Sequence, residues 1–165
     1  MIDKKKNADY KYSYAVENIS TILQILEDSY PQAVTTSLSF KNPFELLIAT
    51  ILAAQSTDKL VNKVTPILFK KYRGPSDFAN ADLFELQKDI KSTGFYRNKA
   101  TSIIRCSKEI TERFNGKVPG SIEELTSLFG VGRKTANVVL ANAFGKEARR
   151  PDAVSCPADS TSFVR

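Results

Sequence analysis

The sequence predicts an all-α domain. Apolar residues recur at helical spacing along most of the chain, several segments begin with helix-capping residues, and no stretch alternates in the manner of a β-strand. With 165 residues, of which 42% are hydrophobic and 25% are charged, the chain can build one domain with a sizeable core. We therefore expect several helices arranged around a buried central helix.

The N-terminal part of the chain predicts a disordered end followed by one helix. Residues 1–15 are polar and rich in lysine, which favours disorder. From Val16 to Leu26 the apolar residues recur at helical spacing, and Tyr30-Pro31 ends the pattern. Residues 16–40 therefore predict an N-terminal helix and a linker.

The central helix is predicted by its start signal and its composition. Asn42-Pro43-Phe44-Glu45 places Asn at the N-cap, Pro at the first helical position and Glu where it closes a capping box. The run that follows, LLIATILAA, is apolar on every face. A surface helix would show a polar side, so this helix is expected to be buried.

The rest of the domain, which we predict to span residues 41–148, reads as shorter helices separated by turns. The predicted helices cover about Leu60–Tyr72, Leu83–Ser92 and Asn98–Phe114, and a further one begins at the Ser121/Glu124 capping box, with a turn at Gly74–Asp77. Between Lys91 and Arg113 there are six Lys or Arg residues against two Glu. This composition predicts a solvated basic helix face.

Residues 128–144, LFGVGRKTANVVLANAF, have the outline of a helix–hairpin–helix. Gly130 and Gly132 interrupt the helical pattern, and a second apolar helix begins near Thr135. The amide groups of Gly130, Val131 and Gly132, with the start of that helix, are expected to bind an anion such as a DNA phosphate. Arg133 and Lys134 would lie beside this anion.

Composition excludes several classes of protein. The net charge of +6 favours a polyanionic partner, and the absence of histidine excludes Ser-His-Asp and Cys-His nucleophile systems and the usual zinc sites. Cys106 and Cys156 fit neither a secreted disulfide framework nor a four-thiolate metal site, so we expect no bound metal and a reducing cytoplasm. No apolar run has transmembrane length, which predicts no membrane association.

Three blocks of sequence, in this order and at these separations, resemble the bacterial endonuclease III branch of the helix–hairpin–helix (HhH-GPD) DNA glycosylases. They are NPFELLIATILAAQSTDKLVNK, STGFYRNKA and LFGVGRKTANVVLANAFG, and the resemblance covers about Val16 to Lys146. It implies an all-α HhH-GPD domain that acts as a monomer on damaged or abasic double-stranded DNA of the bacterial nucleoid. The implied function is base excision repair of oxidised pyrimidines, with the damaged base flipped out of the duplex.

The resemblance also implies roles for particular residues. Lys134 matches the lysine that attacks the sugar C1′, forms a Schiff base and cleaves the strand by β-elimination. The start of its helix, with Arg133 adjacent, would favour the neutral amine. Gln55 matches the residue that fills the space left by the flipped base, and Phe95 matches a second intercalating position. For Phe95, core packing beside Gly94 is the alternative.

The last residues depart from the family pattern. Asp152 stands eighteen residues after Lys134, in register with an essential aspartate of the family, but Arg149-Arg150-Pro151 before it does not match, so Asp152 is either catalytic or a coincidence. Residues 149–165 form an atypical tail, and the four cysteines that hold a [4Fe–4S] cluster in the family are absent. The loss of likeness after about Ala148 predicts a frameshift, a truncated gene copy or a sequencing error. The alternative function is therefore a non-catalytic DNA-binding remnant.

Overall fold

A computed structural model of the protein describes residues 18–26, 28–29 and 36–145, and helices are the regular secondary structure throughout these ranges. The chain divides into two units, Met1–Thr35 and Thr36–Arg165. In the first unit, residues 18–26 and 28–29 are helical, as the apolar spacing from Val16 predicts. The predicted disordered end at residues 1–15 and the tail at 149–165, with Asp152, lie outside the described residues.

The described part of the second unit, residues 36–145, contains seven α-helices and one 3-10 turn. They are α1 (Pro43–Ala53), α2 (Asp58–Lys71), α3 (Pro75–Ala79), α4 (Leu83–Asp89), the 3-10 turn (Lys91–Thr93), α5 (Tyr96–Phe114), α6 (Ile122–Ser127) and α7 (Arg133–Phe144). The all-α prediction is confirmed for these residues. No helix in the described ranges is both long and apolar enough to cross a bilayer.

Helix α1 is the buried central helix that its sequence predicts. The Asn42 side chain accepts a hydrogen bond from the Glu45 amide at 2.9 Å, and the Glu45 carboxylate accepts one from the Lys41 amide at 2.7 Å. The side chains of Leu46–Ala49 and of Leu52 are fully inaccessible to solvent. Helices α2, α5 and α7 pack against α1, so the core of this unit lies around it.

Several boundaries differ from the prediction, and α2 and α5 each begin two residues before the predicted Leu60 and Asn98. The segment predicted as a turn at Gly74–Asp77 begins helix α3, because Gly74 serves as the N-cap and Pro75 occupies the first helical position. Helix α4 ends at Asp89 and a separate 3-10 turn follows it. Helix α7 begins at Arg133, before the predicted Thr135, so that Lys134 lies in its first turn.

An aromatic cluster around Phe78 fixes α3 in the core. The fully buried Phe78 ring lies 5.6 Å from the Phe44 ring, 6.5 Å from the Phe69 ring and 4.9 Å from the Tyr72 ring, measured between ring centroids. Aromatic pairs at these separations are stabilising beyond the area that they bury. This cluster and the packing of α3 against α5 together hold a helix of only five residues.

We predict that Phe78→Ala lowers the free energy of unfolding by about 3–5 kcal/mol, since it leaves a cavity inside the aromatic cluster. Phe84→Ala is the matched control, because the Phe84 side chain on α4 is 78% exposed, and it should change stability by less than about 0.5 kcal/mol. Urea unfolding followed by far-ultraviolet circular dichroism measures both values. Equal losses for the two variants would contradict this assignment of the core.

Cys106 is a buried residue of α5. Its side chain is inaccessible to solvent, and burial, together with the nearby Glu109 carboxylate, raises the pKa of the thiol from 9.0 to about 12. The thiolate is the reactive form of cysteine, so this thiol is expected to be inert in the folded protein. The packing therefore supports a structural role for Cys106.

We predict that, in a Cys156→Ser background, Cys106 does not react with an aromatic disulfide reagent at pH 8 until urea unfolds the protein. The stabilisation from the protonated buried thiol should be present below pH 9 and decrease as the pH rises from 9 towards about 12, because only the unfolded thiol ionises in that range. Absorbance of the released thiolate follows the reaction. Labelling of the native protein at the rate of the unfolded chain would show that the site is open.

Candidate nucleic-acid interface

Three segments that are distant in the sequence meet at one cleft of about 270 Å³. Gln55 reaches the cleft from the turn after α1, Phe95 from the turn before α5, and Gly130 from the hairpin between α6 and α7. Thr135 of α7 and Lys99 of α5 also line it. The structure thus brings together residues from all three sequence blocks on which the family resemblance rests.

Gln55 and Phe95 share an uncommon backbone conformation. Gln55 has φ 54° and Phe95 has φ 47°, in the left-handed region that residues with a Cβ rarely adopt. Both side chains are exposed, and that of Phe95 is 66% accessible. The alternative of core packing for Phe95 is therefore wrong. Strained backbone that carries an exposed aromatic ring is typical of functional sites.

Gly130 allows the hairpin to approach α5 closely. It has φ +77°, and a Cβ placed on it would lie 2.8 Å from the Ser102 Cβ and 2.9 Å from the Ser102 Oγ. A side chain at this position would thus be both strained and in collision. Gly132, by contrast, is the N-cap of α7 with φ −85°, and a Cβ there would meet no atom within 4 Å. Of these two hairpin glycines, Gly130 is the one that uses the conformational freedom of glycine.

Phe129 ties the hairpin to α5 through two further contacts. Its amide N–H donates a hydrogen bond to the Glu109 carboxylate at 2.8 Å. The Arg105 guanidinium lies over its ring at 3.5 Å from the centroid, which is a close cation–π contact. Together with the Gly130–Ser102 approach, these contacts hold the hairpin on α5.

The anion-binding prediction for the hairpin amides changes in one respect. The Val131 amide donates to the Leu128 carbonyl at 3.2 Å, and the Val131 side chain is buried, so this amide is used within the hairpin itself. Gly132 has no side chain, and the first turn of α7 has no side-chain cap. Arg133 and Lys134 are exposed in that turn, and Lys134 directly precedes the cleft residue Thr135.

Lys99 is a cleft residue that the sequence does not single out. Its side chain is 5% accessible, and its ammonium donates hydrogen bonds to the Leu52 and Thr93 carbonyls, each at 2.7 Å. Burial lowers the pKa of Lys99 from its ordinary value. For this residue the prediction of a solvated basic face is wrong. Its spacing from Ile103, four residues along the apolar stripe of α5, is the signal that marks it as buried.

The donor set does not fit an iron–sulfur cluster. The chain has two cysteines, of which Cys106 is enclosed in the core, and a [4Fe–4S] cluster of the family type needs four thiolates. Within the ranges that the structure describes, no group of three or more His, Cys, Asp or Glu side chains could hold a metal ion.

The helical fold, with a glycine hairpin docked beside a cleft, defines a helix–hairpin–helix domain. The family described as HhH-GPD superfamily base excision DNA repair protein matches residues 48–161. The chain belongs to this superfamily. The match extends past Ala148 and includes the position of Asp152.

The relatives and solved structures confirm the resemblance to endonuclease III. The chain is 52% identical to endonuclease III of Synechocystis over 129 residues, which cover 78% of this chain and 58% of that protein. It is 50% identical to endonuclease III of Bacillus subtilis over 133 residues, which cover 81% of this chain and 60% of that protein. The chain therefore spans about three fifths of the length of these relatives.

Among solved structures, the chain resembles a trapped covalent intermediate of endonuclease III and DNA, described as an estranged-adenine complex. The TM-score is 0.74 at 50% sequence identity, over 78% of this chain and 60% of that chain. At this identity the likeness extends beyond the general fold to the arrangement of equivalent segments.

We predict that Gly130→Ala lowers the free energy of unfolding by about 1–3 kcal/mol, because the added methyl group collides with Ser102 and strains the backbone. Gly132→Ala should change it by less than about 0.5 kcal/mol, since its backbone is ordinary and the space is open. Urea unfolding of the two variants under the same conditions is the measurement. A larger loss for Gly132→Ala would show that the hairpin does not dock through Gly130.

Proposed function

We propose that this protein is a base excision repair DNA glycosylase that removes oxidised pyrimidines and cleaves the abasic site through Lys134, acting as a monomer on the DNA of the bacterial nucleoid. The observation that carries the proposal is the convergence of Gln55, Phe95 and the Gly130 hairpin on one cleft. A similar chain of the same family has been trapped in a covalent complex with DNA.

The cleft supplies what a flipped base requires. A glycosidic bond cannot be reached inside a duplex, so the damaged nucleotide must leave the stack and the gap must be filled. Gln55 and Phe95 are exposed on two neighbouring turns and suit this filling, one as a polar side chain that can pair with the orphaned base and the other as an apolar wedge. The start of α7, beside Arg133, would bind the backbone phosphate.

Lys134 would perform the chemistry. Its neutral amine attacks C1′, and the C1′–N bond to the base breaks, so that the base leaves with the electron pair and takes up a proton. The C1′–O4′ bond of the sugar then breaks, O4′ takes up a proton from solvent, and an iminium ion forms between Lys134 and C1′. Loss of a C2′ proton then expels the 3′ phosphate, and water releases the lysine. Asp152, which lies outside the described residues, is a candidate to assist these proton transfers.

We predict that borohydride traps a covalent adduct between the protein and abasic duplex DNA, because it reduces the iminium ion to a stable amine. The adduct should disappear in Lys134→Ala and persist in Lys117→Ala, which removes an exposed lysine from the loop between α5 and α6. Denaturing gel electrophoresis of labelled DNA measures the adduct. Trapping that survives Lys134→Ala would assign the nucleophile elsewhere.

Trapping, together with DNA binding and base release, distinguishes the proposed enzyme from a DNA-binding domain and from a lyase alone. Salt-sensitive binding without an adduct would identify a non-catalytic DNA-binding domain instead of a lyase. An adduct that forms on abasic DNA, with no release of thymine glycol from a damaged duplex, would limit the activity to the lyase step. An Asp152→Asn variant with unchanged rates would show that its register with the family aspartate is a coincidence.

A further inference from the structure

The Lys99 ammonium joins the two turns that carry the exposed cleft residues. It donates to the Leu52 carbonyl, three residues before Gln55, and to the Thr93 carbonyl, two residues before Phe95, both at 2.7 Å. Leu52 and Lys99 are separated by 47 residues, so the contact is long-range in the sequence. One buried cation thus links the end of α1 to the turn before α5.

The positions of the two carbonyls explain why they accept hydrogen bonds from a side chain. Leu52 lies in the last turn of α1, where carbonyl groups lack intrahelical partners, and a cation there also interacts favourably with the helix dipole. Neighbouring carbonyls in that turn are satisfied locally, since Ile51 accepts from the Ala54 amide and Ala53 from the Ser56 amide. The Thr93 carbonyl precedes Gly94 and Phe95, which both have positive φ.

An apolar side chain would suit the position of Lys99 better if packing were its only role. Lys99 lies on the buried stripe of α5 with Ala100, Ile103 and Cys106, and a buried ammonium carries a large desolvation cost unless it is well hydrogen-bonded. Its methylene chain lies on this buried stripe, while its charged end donates to the Leu52 and Thr93 carbonyls.

We infer that Lys99 is a positioning residue, which holds the strained turns of Gln55 and Phe95 in the geometry that inserts both side chains into DNA. The effect of Lys99 on DNA binding rests on the proposed function. The hydrogen bonds by which Lys99 links the two turns are present in the protein without DNA. Lys99 does not touch the reacting atoms in this scheme. It acts through the backbone of the two inserting residues.

The link is tested first in the DNA-free protein by nuclear magnetic resonance. In the wild type, the Lys99 ammonium should exchange slowly with water and show couplings across its hydrogen bonds to the Leu52 and Thr93 carbonyl carbons. In Lys99→Met, the backbone order parameters should fall at Gln55 and Phe95 and stay unchanged in the core at Ile110. Lys108→Met, which removes an exposed lysine from the same helix, should leave the two turns as they are.

Each other outcome of this test overturns the inference. Absent couplings in the wild type would show that the ammonium does not bind both carbonyls, even if Lys99→Met does not fold. Unchanged order at Gln55 and Phe95 in Lys99→Met would show that the turns do not depend on Lys99. Loss of order across the core as well would assign Lys99 a general structural role.

The consequence for DNA is tested with a duplex that contains a tetrahydrofuran abasic analogue opposite 2-aminopurine. This analogue cannot form a Schiff base, so the chemistry of Lys134 does not enter the measurement. Lys99→Met should weaken the affinity about tenfold and reduce the fluorescence increase that reports unstacking of the 2-aminopurine. In a Gln55→Ala, Phe95→Ala background, the same substitution should change the affinity by less than about twofold.

This thermodynamic cycle separates positioning from general stability. A tenfold loss that persists without Gln55 and Phe95 would show that Lys99 does not act through them, and the inference would fail. If the wild type does not bind the duplex at all, the proposed function fails. The couplings and order parameters of the DNA-free protein still decide whether Lys99 holds the two turns.

Discussion

Burial of the apolar residues of α1 is the constraint on which the rest of the described second unit depends. Because apolar side chains surround nearly the whole helix, other helices must cover it, and α2, α5 and α7 do so. The helix ends at Ala53, so the chain leaves the core beside α5 and continues through the turn that carries Gln55. The packing that forms the core therefore also sets where one wall of the cleft begins.

The cleft combines strained backbone with rigid support. Left-handed conformations at residues such as Gln55 and Phe95 cost of the order of 1–3 kcal/mol each, and they persist only where surrounding structure compensates. The compensation is visible in the buried bonds of Lys99 and in the core beneath them. A site of this kind is ordered before any ligand binds. The entropy cost of ordering the turns therefore belongs to folding and does not reduce the affinity for a ligand.

Local sequence signals predict most of the helices, but they do not predict the contacts between distant segments that form the cleft. Capping residues and apolar spacing predict the helices, and the resemblance to endonuclease III groups Gln55, Phe95 and the hairpin. Gly74-Pro75 illustrates a limit, because the same pair can begin either a turn or a helix and only the burial of Phe78 decides between them. The hydrogen bonds of Lys99 and the close approach of Gly130 to Ser102 connect segments that are distant in the sequence. No local sequence pattern predicts these contacts.

Helix α5 sets the distance between the two sides of the cleft. Lys99 near its start holds the turns of Gln55 and Phe95, while Ser102, Arg105 and Glu109 further along contact the hairpin. With a rise of about 1.5 Å per residue, the span from Lys99 to Glu109 is roughly 15 Å of continuous helix. Since a helix resists stretching, the distance between these residues of α5 is nearly constant. The two walls of the cleft are therefore attached to one rigid helix, which keeps their separation fixed.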